Sequence, residues 1–175
     1  MKLSQMVRAA LQVSNLEQSK AFYTQVLGLT EVYSEGTAVG GNMHEFIGMP
    51  DGVTTRVCVL KHPDYSAYGM VGLFEVKNPE PPKIKRDSEG CNLGELCMVF
   101  YCSDLDEVVL RAKDHPHTLV CEPARLRVRG YVKQREMALR GPDGEKINLI
   151  EWDPAKAVEG DKPEKWAGEW QGEPE

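Results

Sequence analysis

No stretch of the 175-residue chain approaches 18 consecutive apolar residues, so a membrane-spanning helix is excluded. The opening Met1-Lys2-Leu3-Ser4-Gln5-Met6 has no apolar secretory core, which leads us to expect a cytoplasmic protein. Positive charge is also scarce: 21 Lys and Arg stand against 27 Asp and Glu, a net charge of −6. Nucleic-acid binding needs a concentrated basic face, and that balance argues against it. The local run Arg125, Arg127, Arg129, Lys133 and Arg135 reads as a solvated strand face or a ligand-facing patch. There are only five cysteines, Cys58, Cys91, Cys97, Cys102 and Cys121, an odd number without CxxC spacing. They fit free thiols better than a disulfide framework or a thiolate metal site.

What is present is the composition of an ordinary globular chain, 41% hydrophobic and 27% charged. It is organised around Leu11–Leu29. Asn15 is a good helix N-cap, and Gln18 follows three residues later in a capping-box-like pair. Leu16, Phe22, Tyr23, Val26 and Leu27 then share a helical face, and Gly28 supplies the stop. The same device returns after Phe100-Tyr101-Cys102. Ser103 or Asp104 caps, Glu107 answers, Leu105, Val108, Val109 and Ala112 form the stripe, and Pro116 ends it. Two copies of one strand–helix unit make an internal repeat.

Strands follow each helix. In the first half they read as Val7–Val13 before the helix, then Thr30–Ser34, Thr55–Lys61 and Val71–Lys77, with a short helical turn at Met43–Ile47. In the second half they read as Glu95–Cys102, Thr118–Cys121, Val132–Leu139 and Glu145–Trp152. The expected architecture is therefore α+β. It has a βαβββ module over 1–78, a Pro-rich charged linker over 79–92 and a second βαβββ module over 93–153. Residues 154–175 read as an acidic tail in which Trp166 and Trp170, spaced i and i+4, would dock as one helical turn.

The first copy, together with Gly141-Pro142-Asp143-Gly144-Glu145-Lys146-Ile147-Asn148-Leu149-Ile150-Glu151, resembles the vicinal oxygen chelate superfamily. That superfamily includes glyoxalase I, methylmalonyl-CoA epimerase, bleomycin-resistance proteins and extradiol dioxygenases. The resemblance covers residues 7–154. It implies two curved mixed sheets around a cavity, and a divalent metal held by side chains from the first and last strand of each module. Carried over by motif, those positions fall on Arg8, Glu75, Cys97 and Asn148.

Only Glu75 is an ordinary ligand for a hard cation. Arg8 keeps its proton and repels a cation, Asn148 offers a neutral carbonyl, and Cys97 lacks a histidine at a matching position to activate it. No metal and no other cofactor are therefore expected. The expected activity is binding of a small apolar or aromatic molecule. Arg8, Gln12, Glu75, Tyr101, Asn148 and Cys97 would contact it, and His44 and Phe46 would line the pocket mouth. The alternative is a lyase, isomerase or ring-cleaving dioxygenase of the same superfamily. Such an enzyme would either use an atypical metal site or work without metal, with Glu75 as general base and Arg8 stabilising an oxyanion. With no metal present an Arg8–Glu75 ion pair is expected, since a buried carboxylate without a metal needs a positive partner. A homodimer is expected because two half-open sheets leave apolar edges.

Overall fold

A computed structural model describes residues 3–64, 68–86, 90–127 and 131–152. The chain divides into two units, Met1–Gly94 and Glu95–Glu175. Trp166 and Trp170, and with them the docked tail helix, lie outside the described residues.

The first unit runs β1 (Arg8–Gln12), α1 (Leu16–Ala21), β2 (Glu31–Val39), α2 (Met43–Ile47), β3 (Thr54–Lys61) and β4 (Met70–Lys77). Its sheet has the order β1-β4-β3-β2, with β1 parallel to β4 and the other pairs antiparallel. The second unit repeats the plan. It runs β5 (Cys97–Cys102), α3 (Leu105–Ala112), β6 (Thr118–Arg127), β7 (Tyr131–Arg140) and β8 (Lys146–Glu151), in the order β5-β8-β7-β6. Both are βαβββ modules with mixed four-stranded sheets.

The helices begin as their caps dictate. Asn15 Oδ1 accepts the Gln18 N–H at 3.0 Å, and Asp104 Oδ1 accepts the Glu107 N–H at 3.0 Å, so Asp104 rather than Ser103 is the second cap. After Ala21 the first helix widens into a π-helical turn over Phe22–Val26. The Thr24 hydroxyl donates to Lys20 O at 2.8 Å, a back-bond that distorts helices. Gly28 then takes φ +75°, a conformation costly for any side chain, and releases the chain towards β2. Leu16, Phe22, Tyr23 and Val26 are buried on one face of this helix, against Val71 and Leu73 of β4 and Cys58 and Leu60 of β3. Leu105, Val108 and Ala112 bury in the same way over Met137, Leu139, Ile147 and Leu149.

Two edge strands outrun the sequence expectation. β2 extends to Val39 rather than Ser34, pairing along the whole of β3 past a bulge at Tyr33. β6 extends to Arg127 rather than Cys121 and carries Pro123 at a register shift. An edge position tolerates both irregularities, because half of its backbone groups have no sheet partner to lose.

The Gly141–Glu145 turn is built around a carboxylate. Glu145 is buried, its Oε2 accepts the Asp143 N–H at 3.0 Å, and its backbone oxygen accepts the Gly141 N–H at 3.0 Å. A Cβ at Gly141 would lie 2.2 Å from Glu145 Oε1, so a side chain there would have to displace that carboxylate. Arg140 joins β7 to the entry of β5 through an ion pair with Glu95, and donates to Gly144 O at 2.8 Å.

Candidate functional site: the open faces of the two sheets

Each sheet buries one face under its helix and turns the other away. On the first sheet the parallel register pairs Arg8 with Met70, Ala10 with Gly72 and Gln12 with Phe74. These residues alternate with Ala9, Leu11, Val71 and Leu73, which face α1, so they occupy the open face. Arg8, Ala10 and Gln12 are exposed. Gly72 is the flat centre of this row. A Cβ there would lie 2.9 Å from the Phe74 ring and 3.6 Å from Arg8 Cδ, so the ring and the arginine stem both lie over it.

Glu75 is on the other face, and this corrects two expectations. It alternates with Phe74 and joins Val71 and Leu73 on the helix side. Its Oε1 accepts the Leu16 N–H at 3.2 Å, and its Oε2 accepts from Arg56 Nη1 at 3.2 Å. Arg56 also reaches Glu17, at the start of α1. The Arg8–Glu75 pair is not formed, and the Glu75 carboxylate is placed as a helix anchor rather than as a base on the open face. The positive partner that a buried carboxylate needs is Arg56, its direct cross-strand neighbour.

The second unit repeats this anchor. Glu151 pairs with Arg135 on the adjacent strand at 2.7 Å, and Arg135 also reaches Asp106 at 2.9 Å. The backbone N–H of Leu105, at the start of α3, also favours the charged Glu151 carboxylate, where in the first unit the Leu16 N–H donates a hydrogen bond to Glu75. The Arg135 hydrogen bond holds the Glu151 carboxyl below its usual range, and hydrogen bonds to Glu151 and Asp106 raise the Arg135 guanidinium.

On the open face of the second sheet, Val99 pairs with Asn148 and Tyr101 with Ile150. The next strand places Ala138 beside Asn148 and Glu136 beside Ile150. Val99 and Tyr101 are 56% and 54% exposed. The Tyr101 ring meets Trp152 edge to face at 4.9 Å between centroids. Asn148 Nδ2 donates to Glu136 Oε2 and to Met137 O, each at 3.2 Å. Cys97 shares this face, half-buried, and burial pushes its thiol up, away from a nucleophilic thiolate.

His44 and Phe46 stand on α2. His44 Nδ1 is 3.2 Å from Gly41 O, and Phe46 is 81% exposed. Sequence reasoning missed Phe74 and Gly72 on the first sheet, and Glu136 and Trp152 on the second. Strict alternation along β4 and β7 was the signal that could have found the first three.

The four positions to which a metal would be assigned do not fit one. Arg8 is a permanent cation on the open face, Glu75 turns away from that face, burial keeps Cys97 protonated, and the amide nitrogen of Asn148 is already committed. Among the described residues no three His, Cys, Asp or Glu side chains gather as a metal-holding group.

The profile of the glyoxalase/bleomycin resistance protein/dioxygenase superfamily matches residues 5–149. A glyoxalase family protein from Bacillus cereus superimposes with a TM-score of 0.70 at 22% identity, covering 86% of this chain and 95% of its own. A glyoxalase/bleomycin resistance protein from Albidiferax ferrireducens gives 0.50 at 20% identity, covering 85% and 98%. A glyoxalase I variant from Zea mays gives 0.54 at 15% identity, covering 82% of this chain and 44% of its own. At these identities the likeness is one of fold alone. Comparison with curated protein sequences finds no match.

Proposed function

The chain belongs to the glyoxalase/bleomycin resistance protein/dioxygenase superfamily, and from that premise we propose that it binds a small, largely apolar or aromatic molecule without a catalytic metal. One observation carries the reading. The open face of the second sheet leaves Val99 and Tyr101 more than half exposed, with the Tyr101 ring braced by Trp152 and Asn148 held in place beside them. An apolar floor with a few oriented polar groups suits recognition of a flat ligand. A rigid aromatic pair supplies contact area at little entropic cost. The donor set at the family's metal positions, led by Arg8, supports binding without a metal.

Saturation-transfer NMR with 2-naphthol, in buffer containing a chelator, tests this. Saturable binding that weakens at least tenfold in Tyr101→Ala is the expected result. Absence of saturable binding, or turnover that requires an added divalent ion, overturns it. The same reading has two copies pairing, supported by exposed Val32, Tyr33 and Val39 on β2. A monomer in sedimentation equilibrium at micromolar concentration would remove that part.

A further inference from the structure

The helices and strands of the first unit carry five cations, and four of them reach a carboxylate. Lys20 pairs with Glu35, Arg56 with Glu17 and Glu75, Lys61 with Glu31, and Lys77 with Glu80. Arg8 alone has no ion pair and no side-chain hydrogen bond among the described residues. This is notable in a chain with six more acids than bases, where a free cation readily finds an acidic neighbour. The register explains the vacancy. Around Arg8 the open face presents Ala10, Gln12, Met70, Gly72, Phe74 and Val59, and none of them is acidic.

We propose that Arg8 is the anchor for a carboxylate on a flat aromatic ligand, with Phe74 and Gly72 as the surface on which that ligand lies. The inference rests on the reading that the chain binds a small aromatic molecule; it adds a surface on the first sheet to that of Tyr101 on the second and names the ligand class. A guanidinium presents a planar fork of donors that matches a carboxylate with two parallel hydrogen bonds. Gly72 is what makes the surface flat. A Cβ at that position would press on the Phe74 ring at 2.9 Å and touch the Arg8 stem at 3.6 Å. The exposed amide of Gln12, on the rung of Phe74, offers a further donor or acceptor to a ring substituent. The chain's overall negative charge repels anions, so selectivity for an acid has to come from such a local cation.

The test compares 1-naphthoate with its neutral amide, 1-naphthamide, by ligand-observed NMR on the full chain in low salt with chelator. The expected result is that wild type binds naphthoate at least tenfold more tightly than naphthamide. Arg8→Met should abolish the naphthoate preference, bringing the affinities of the two probes together. Arg8→Gln serves as a second variant should Arg8→Met not fold, and the wild-type comparison needs no variant. Equal affinity for the two probes, or a naphthoate preference that survives Arg8→Met, overturns the anchor and leaves the binding reading standing. Absence of binding by either probe overturns both.

Discussion

Arg56 and Glu75 face each other across β3 and β4 with Nη1 3.2 Å from Oε2, and Arg135 and Glu151 repeat the relationship across β7 and β8. Glu75 also accepts the first amide of α1, and the Leu105 N–H at the start of α3 favours the charged Glu151. An anion there meets an otherwise unsatisfied N–H and the positive end of the helix dipole. The strand arginine neutralises it and reaches on to an acidic residue in the first helical turn. The repeat therefore preserves a way of fixing each helix to its sheet. The glutamate that looked catalytic belongs to that fixture.

Glu75→Ala should accordingly lower stability by about 1.5–3 kcal/mol, the range for hydrogen bonds to a charged group. Glu75→Gln should lose less, because its amide oxygen still accepts the Leu16 N–H. Urea unfolding measures both. Affinity for 2-naphthol should not change in either variant. Lost affinity with unchanged stability would return Glu75 to the binding site.

Much of this architecture was legible in the residues. Asn15, Gly28 and the second capping sequence marked both helices, and the repeat implied paired modules. Alternation puts Arg8, Gln12 and Tyr101 on the faces away from the helices, and Asn148, which only the family motif picked out, pairs with Val99 on the face of Tyr101. At Glu75 the family motif and the strand alternation disagree: alternation along β4 groups it with Val71 and Leu73, on the side of α1, where its carboxylate accepts the Leu16 N–H. The cross-strand partner Arg56 was not legible at all, since pairing register depends on where β3 and β4 meet. Gly72 was similarly silent: in sequence it is a strand glycine, and only the overlying Phe74 ring and Arg8 stem show what its missing side chain permits.

Stability should fall on acidification in a way that Glu151 controls. Its carboxyl is held below the ordinary range, chiefly by the Arg135 hydrogen bond. Its contribution is therefore complete above the unfolded value, about 4.3, and is lost as pH falls through the lower folded value. Melting temperatures measured from pH 6 to 2 should decline more steeply for wild type than for Glu151→Gln, which has no carboxylate there to protonate. Parallel curves would show that other carboxylates set the acid limb.

Gly141→Ala should destabilise the second unit by about 1–3 kcal/mol, through overpacking and a displaced, partly buried hydrogen bond. The added methyl would meet the Glu145 carboxylate that holds the Asp143 N–H. Gly141→Ala combined with Glu145→Ala should lose little beyond Glu145→Ala alone, since the clash is then gone. Unfolding curves of the three variants test this, and strict additivity would contradict it.

The most direct measurement is the affinity of 1-naphthoate before and after exhaustive dialysis against a chelator, followed by addition of one equivalent of nickel, zinc, manganese or iron. Binding through Arg8 on a site that fits no metal predicts one unchanged affinity throughout. An affinity lost on chelation and restored by a single equivalent of one of those ions would contradict it.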